Sequence, residues 1–412
     1  MAGTRPTIRP ISVDELPAFI ETMTTAFHER PDVSGVAAEV ASLWDVRRCR
    51  AAFDGGTMCG TFRTWGTELT VPGGGVVPGA AIAGVTVLPT HRRQGILRAL
   101  MADEHAAIRE RGEVVGLLYS ADYPIYGRFG YGPATRIARW TLDARDASFR
   151  DTSPAGGIEF VGPNADTAAR MVAVFDAVRR SSPGEIQRRD YRWDYDLGRE
   201  TAWGDRWKGF VALRHDRDGA VDGYVRYHAE PDPALRPPRV RLIVDDLQAT
   251  SDEAYAALWR FVAQVDLVES VVADHRSVSE RLPWLLVNAR AARMSEPGDG
   301  LWVRLIDIPR ALEARSYERE GSIVLEVIDP DDGGGRTRLA LDVGADGAVC
   351  RRTDRSADLT VHVAALGAAF LGGTRLRDAV LADGHDAHRD GALALADALL
   401  RTADEPWCST FF

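Results

Sequence analysis

Residues 84–101, GVTVLPTHRRQGILRALM, gather the chain's densest chemistry. Arg92, Arg93 and Arg98 cluster around Gln94, Gly95, Ile96 and Leu97. Guanidinium groups so close together suit an oxyanion, above all a diphosphate, because each offers a fork of N–H donors to paired oxygens. The elements that must position them can be read on either side. Val85, Thr86 and Val87 form a β-branched run stopped by Pro89, which predicts a buried strand ending at a turn. Beyond Gly95 the apolar positions Leu97, Met101 and Ile108 recur at helical spacing, with Arg98, Asp103 and Arg109 on other faces. A helix start adds free N–H groups and the positive end of its dipole, and Gly95 admits close backbone approach. The terminal Gly-Lys-Ser/Thr of a Walker loop is missing, and no G-x-G-x-x-G is present. An ordinary βα turn with surface arginines shares this pattern, so the loop alone leaves both readings open.

A second constellation follows the apolar run 113–120, which reads as another buried strand. It is Ala121-Asp122-Tyr123-Pro124-Ile125-Tyr126-Gly127-Arg128-Phe129-Gly130-Tyr131-Gly132. Asp122 or Tyr123 stands where a helix cap belongs, Pro124 suits a first helical position, and Gly130 closes the turn.

The two stretches together carry a resemblance. The loop Arg92-Arg93-Gln94-Gly95-Ile96-Leu97 resembles the Arg/Gln-x-x-Gly-x-Gly/Ala pyrophosphate loop of the GCN5-related N-acetyltransferases, with Leu97 where a small residue is usual. The run YGRFGYGPA (126–134), with PTHRR (89–93), is similar to the enhanced intracellular survival (Eis) acetyltransferases. The resemblance implies an α/β (α+β) chain: tandem GNAT-like mixed sheets with a C-terminal sterol-carrier-like α+β domain. It implies acetyl-CoA as co-substrate and no metal. Amine acceptors would be polycationic small molecules such as aminoglycosides, or lysine side chains of peptides. It also implies a homohexamer.

Acetyl transfer to an amine needs a grip on the coenzyme, a polarised carbonyl, a base for the amine and an acid for the departing thiolate. Val85, Thr86 and Val87 are expected to meet the pantetheine amides as an added strand would, one amide facing the thioester oxygen. Residues 92–98 would hold the diphosphate, and Ala121 and Asp122 match a further coenzyme-contacting stretch of the family. Tyr126 is the candidate acid, since a phenol of pKa about 10 stays protonated above the thiol it serves. The family supplies the base candidate, the α-carboxylate of Phe412, on an ending (WCSTFF) that is apolar for a tail. Phe411 stands where relatives often carry an acidic residue. Phe27 and Glu29 match acceptor-pocket positions, with Trp44 and Trp65 as further candidates.

Composition fits this frame. At 412 residues the chain exceeds one ordinary core, and 45% hydrophobic with 27% charged residues is a globular balance. The formal net charge of −10 speaks against a general nucleic-acid partner. The four cysteines show no C-x-x-C spacing, and the histidines form no metal-ligand pattern. No signal peptide is evident, and the longest uncharged stretch, 69–90, is broken by prolines and glycines, so a cytoplasmic protein without a membrane span is expected.

Three units are expected: 1–150, 151–295 and 296–412. After a polar linker over 143–157, the second repeats the strand–loop–helix order. Its loop at 245–251 has two aspartates and no glycine or arginine, which suits no diphosphate. Strands are expected at 57–65, 68–71, 301–306, 322–328, 338–343 and 358–363, and helices at 364–371 and 387–401. A lipid carrier, with the third unit active and the first inert, is the competing class; the intact basic loop and Tyr126 speak against it.

Overall fold

The computed structural model describes residues 6–150, 156–201, 204–232 and 239–412, so the middle of the expected linker lies outside the described residues. The first sheet uses β1 (Thr7–Pro10), β2 (Cys49–Asp54), β3 (Thr57–Thr70), β4 (Val76–Val87), β5 (Val115–Tyr119) and β6 (Gly132–Pro133). Helices α1 (Leu16–Ala26), α2 (Val33–Val40) and α3 (Ile96–Glu110) accompany it. Helix α1 buries Leu16, Phe19, Ile20 and Met23, as their spacing dictates. At its approach the Glu15 carboxylate accepts from the Ser12 N–H at 2.9 Å.

The next strand, β7 (Arg136–Asp143), leaves this sheet for a second. There it joins β8 (Gly157–Val161), β9 (Phe210–His215), β10 (Val221–Asp232), β11 (Arg239–Ala249), β12 (Val268–Ser277) and β13 (Ala292–Asp299). Strand β14 (Leu301–Leu305) then returns to the first sheet, between β5 and β6. The orders are β1-β2-β3-β4-β5-β14-β6 and β8-β9-β10-β11-β12-β7-β13. Each runs antiparallel through four strands, parallel at the fourth and fifth, and then takes a strand lent by the other half. The chain therefore holds two copies of one topology that exchange a strand. The expectation that 301–306 opens the third unit is corrected: all of Leu301–Leu305 is buried, which suits a strand flanked on both sides within the first sheet. Cuts at 150 and 295 would part both exchanged strands from their sheets.

Two further expectations change. The strands at 57–65 and 68–71 are one, because Gly66 pairs with Ala80 and the ladder continues. The aspartate-bearing loop at 245–251 is mostly strand: β11 runs to Ala249, with Asp246 and Gln248 buried and hydrogen-bonded.

The third sheet contains β15 (Gly321–Asp329), β16 (Gly335–Gly344), β17 (Gly347–Arg352), β18 (Leu359–His362) and β19 (His385–Ala387), in order β17-β16-β15-β18-β19. The expected helix at 387–401 begins instead at Ala392, since 385–387 pair with β18 as an edge strand. One apolar cluster runs from Leu69, Val115, Leu117 and Val303 of the first sheet into Leu325, Val361, Leu366 and Phe370 of the third unit. Each fully buried leucine or phenylalanine there contributes about 1.5–3 kcal/mol, so the third unit is fused to the first. Among the described residues no helix is long and apolar enough to cross a membrane.

Candidate active site

Strands β4 and β5 pair in parallel only at Gly79–Val115, Ala80–Gly116 and Ala81–Leu117. Beyond Ala81 the two part, and Ile82–Val87 keeps β3 on one side with an open edge on the other. The register with β3 shifts between Thr61 and Arg63, where β4 carries an extra residue. Gly84 takes φ +60° at this bulge, and a Cβ there would lie 2.6 Å from the Met23 sulfur, so glycine is required twice over. The bulge is pinned by Thr61, whose hydroxyl donates to Gly84 O at 2.8 Å and lies 2.6 Å from that of Thr86. Backbone groups of Val85, Thr86 and Val87 thus border a gap, while Val85 and Val87 pack against the cluster under α3.

The basic loop opens from the end of β4. Arg93 and Gly95 both take left-handed backbone, φ 63° and 79°, the first an uncommon conformation for a side-chain-bearing residue. Among the described residues no N–H of residues 92–98 donates a backbone hydrogen bond. Arg92, Arg93, Gln94 and Arg98 are exposed, and none of the three arginines has an ion pair among the described residues. Ile96 is buried and Leu97 half-buried, so these two hold the helix down and present only backbone to the loop. A run of free N–H groups at a helix start, ringed by unpaired guanidiniums, is an anion cradle.

Across the gap, β5 ends at Tyr119 and the chain turns through exposed Ala121 and Asp122. The expected helix from 124 is instead a turn followed by a short 3-10 turn, Gly127–Phe129, closed by Gly130 in left-handed backbone. Asp122 accepts from the Ile125 N–H through its backbone carbonyl. Tyr126 is buried among Ile82, Ile96, Leu118 and Phe129. Its hydroxyl has no hydrogen-bond partner among the described residues, and burial plus the Asp122 charge pushes its pKa up to about 12.

The tyrosine segment is clasped from behind by the third unit. His105, on α3 and fully buried, lies 2.9 Å from Asp331 through Nδ1 and 2.9 Å from the Tyr131 hydroxyl through Nε2. Arg304 on β14 donates to Phe129 O at 2.6 Å and pairs with Asp329 and Asp331 at 2.7 Å. Burial holds His105 below its ordinary pKa, and the His105 hydrogen bond, with Arg304 and Arg109 nearby, outweighs burial to hold Asp331 well below the carboxylate range. No local pattern announces this group: the bonds of His105 and Arg304 span 25 to over 200 positions in sequence.

The C-terminal tail reaches the end of β5. Ser409 is bound by Glu185, N–H at 2.8 Å and hydroxyl at 2.5 Å, and by Gln248 at 2.9 Å. Arg188 donates to Ser409 and Thr410 at 3.0 Å, Tyr119 OH to Thr410 O at 3.1 Å, and Arg192 to Phe411 O at 2.8 Å. The Phe412 ring packs edge-on against Trp65 (5.1 Å) and Tyr119 (5.2 Å). Phe411 is half-exposed and packs on Tyr119 and His275. Of the acceptor candidates, Trp44 and Trp65 are buried, Trp65 against the Phe412 ring, whereas Phe27 and Glu29 lie exposed beyond the end of α1.

A bulged fourth strand parting from a parallel fifth, with an anion cradle at the following helix, defines a GCN5-related acetyltransferase. Residues 7–134 and 184–305 each match the model of an acetyltransferase (GNAT) domain, and 308–409 that of a sterol carrier protein domain. An uncharacterized N-acetyltransferase of Streptomyces avermitilis is 38% identical over 98% of both chains. The N-acetyltransferase Eis of Mycobacterium tuberculosis is 35% identical over 82% of this chain and 78% of its own. The crystal structure of Eis1 from Mycobacterium abscessus superposes with a TM-score of 0.86 at 33% identity, covering 98% of this chain and 100% of that one. The chain belongs to the Eis family of N-acetyltransferases.

Proposed function

We propose that the chain transfers acetyl from acetyl-CoA to a primary amine of a small molecule in the gap between β4 and β5. The carrying observation is the run of free N–H groups over 92–98 placed directly beside the open edge of β4. Residues 92–98 hold the diphosphate, with Arg92, Arg93 and Arg98 pairing to its oxygens. Val85, Thr86 and Val87 meet the pantetheine amides, and a β4 amide at the bulge receives the oxyanion of the tetrahedral intermediate. Ala121 and Asp122 border the coenzyme from the other wall.

Tyr126 gives its proton to the departing coenzyme thiolate, and its unbonded hydroxyl is free to turn toward that sulfur. The α-carboxylate of Phe412 takes a proton from the acceptor's ammonium, freeing the amine lone pair to attack the thioester carbonyl, with Phe27 and Glu29 on the approach. Aminoglycosides and lysine side chains are the acceptors that the family resemblance implies, and a homohexamer is the assembly it implies. Thiol release from acetyl-CoA is to be measured with an aminoglycoside, a lysine peptide, simple alkylamines and no acceptor. Release that requires an amine is expected; equal release with and without acceptor, or none with any, refutes the reading.

A further inference from the structure

Arg63 lies between two tryptophans, its guanidinium carbon 4.1 Å from the Trp44 ring centroid and 4.4 Å from that of Trp65. Both rings pack against the guanidinium and restrict the side chain. Among the described residues no carboxylate lies within ion-pair distance of it; the Tyr191 side chain hydrogen-bonds it, and Cys49 and a second guanidinium, Arg189, also face it. Arg189 stacks on Tyr191 at 5.2 Å, donates to Leu43 O at 3.5 Å, and also lacks a carboxylate partner among the described residues. Glu39, the nearby acid, bears on Tyr195 and makes no ion pair with Arg63. Arg48, Arg50, Arg188 and Arg304, by contrast, each have a carboxylate within 2.7 Å, and buried Arg315, which has none among the described residues, donates instead to the Phe370 and Leu400 carbonyls. Burial without a counter-charge holds the Arg63 pKa below its ordinary value.

Its place in the sheet is the acceptor side of the gap. Arg63 pairs with Ala83, two residues past the last β4–β5 pair at Ala81. Its Cβ is 3.9 Å from where a Cβ on Gly84 would stand, so it borders the bulge. Phe62 packs under α3, and Thr64 donates to Glu104 of α3 at 2.9 Å. Arg63 and Trp65 therefore occupy the opposite face, away from the anion cradle, and Trp65 touches Phe412.

We propose that Arg63 receives an anionic group of the acceptor, so that the amine acetylated here belongs to a molecule also bearing a carboxylate or a phosphate. The proposal rests on the acetyl-transfer reading and narrows its acceptor class. A guanidinium packed against two rings, with no carboxylate partner among the described residues, can offer an oxyanion its remaining N–H donors, and little side-chain freedom remains to be lost on binding. A polycation without an anion meets two unneutralised guanidiniums instead.

The test uses the full chain with acetyl-CoA and four acceptors of one length: hexylamine, 1,6-diaminohexane, 6-aminohexanoate and 6-aminohexyl phosphate. One of the two anionic amines is expected to exceed hexylamine in kcat/KM by about 10- to 100-fold, the scale of a hydrogen bond to a charged group, and which one leads identifies the anion. Arg63→Met should remove that advantage through the acceptor KM, lowering the anionic amine to the rate of hexylamine in the same variant, with the acetyl-CoA KM unchanged. Arg63→Lys, which keeps charge but loses the fork, should retain part of it. Equal wild-type rates for hexylamine and both anionic amines, or an advantage surviving in Arg63→Met, overturn the proposal. Should no acceptor release thiol, the acetyl-transfer reading fails by itself, and tryptophan fluorescence then decides on binding. Saturable quenching by an anionic amine in wild type but not in Arg63→Met supports the anion site; identical or absent responses overturn it.

Discussion

Appending one glycine after Phe412 separates a catalytic chain terminus from a merely structural one. Every contact that fixes the tail precedes the added residue: Glu185, Gln248, Arg188 and Tyr119 hold 409 and 410, Arg192 holds the Phe411 carbonyl, and Trp65 and Tyr119 hold the Phe412 ring. The extension leaves these in place but moves the carboxylate by one Cα–Cα step, about 3.8 Å. A misplacement of about 1 Å already costs on the order of 10²-fold. The extended chain should therefore lose at least about 100-fold in kcat/KM for the amine, or about 2.7 kcal/mol of transition-state stabilisation. Its melting temperature and its KM for acetyl-CoA should stay at wild-type values. Phe412→Ala is the complement: it keeps the carboxylate but loses the packing of a partly buried ring, less than the about 1.5–3 kcal/mol of a fully buried one, so stability and activity should fall together. Steady-state kinetics and thermal melts on the two variants are sufficient. Wild-type kcat/KM in the extended chain would refute the terminal base.

Other outcomes follow from the same geometry. Arg93→Ala should raise the acetyl-CoA KM about 10- to 100-fold through a lost charge-assisted contact, and Gly95→Glu should do so by setting a carboxylate in the cradle; unchanged KM in both would remove the coenzyme assignment. Tyr126→Phe should lower kcat by about 10²–10⁴-fold at unchanged melting temperature, since its hydroxyl has no hydrogen bond to lose among the described residues; wild-type turnover would return it to the core. Asp246, held to about 2 by Arg188, Arg226 and Tyr224, contributes stability fully present above its unfolded pKa of about 3.9 and lost as pH falls toward about 2. Acid melts between pH 4 and 2 should therefore lose about 2 kcal/mol less in Asp246→Asn than in wild type, and an undiminished slope would count against the Arg188–Asp246 hold on the tail.

The basic loop, the strand before it and the helix after it were legible in the sequence because they are local. A β-branched run, a stop at Pro89, a left-handed glycine and a 3.6-residue apolar period all act within a few residues of one another. The apolar tail was legible in part for a similar reason: WCSTFF carries no charged side chain and packs inward at Cys408 and Thr410, while Phe411 stays half-exposed. What lies across the chain was not. The run 301–306 reads as a strand wherever it pairs, and only the open place between β5 and β6 decided that it completes the first sheet. Asp246 and Gln248 look like loop residues until Arg188 and Ser409 satisfy them inside a strand. Arg63 carries no local signature at all. It becomes a candidate receptor only when Trp44, 19 positions away, closes over it and no carboxylate does. Spacing encodes which face a residue takes, but which partner fills that face depends on long-range packing and on where each charge finds its counter-charge.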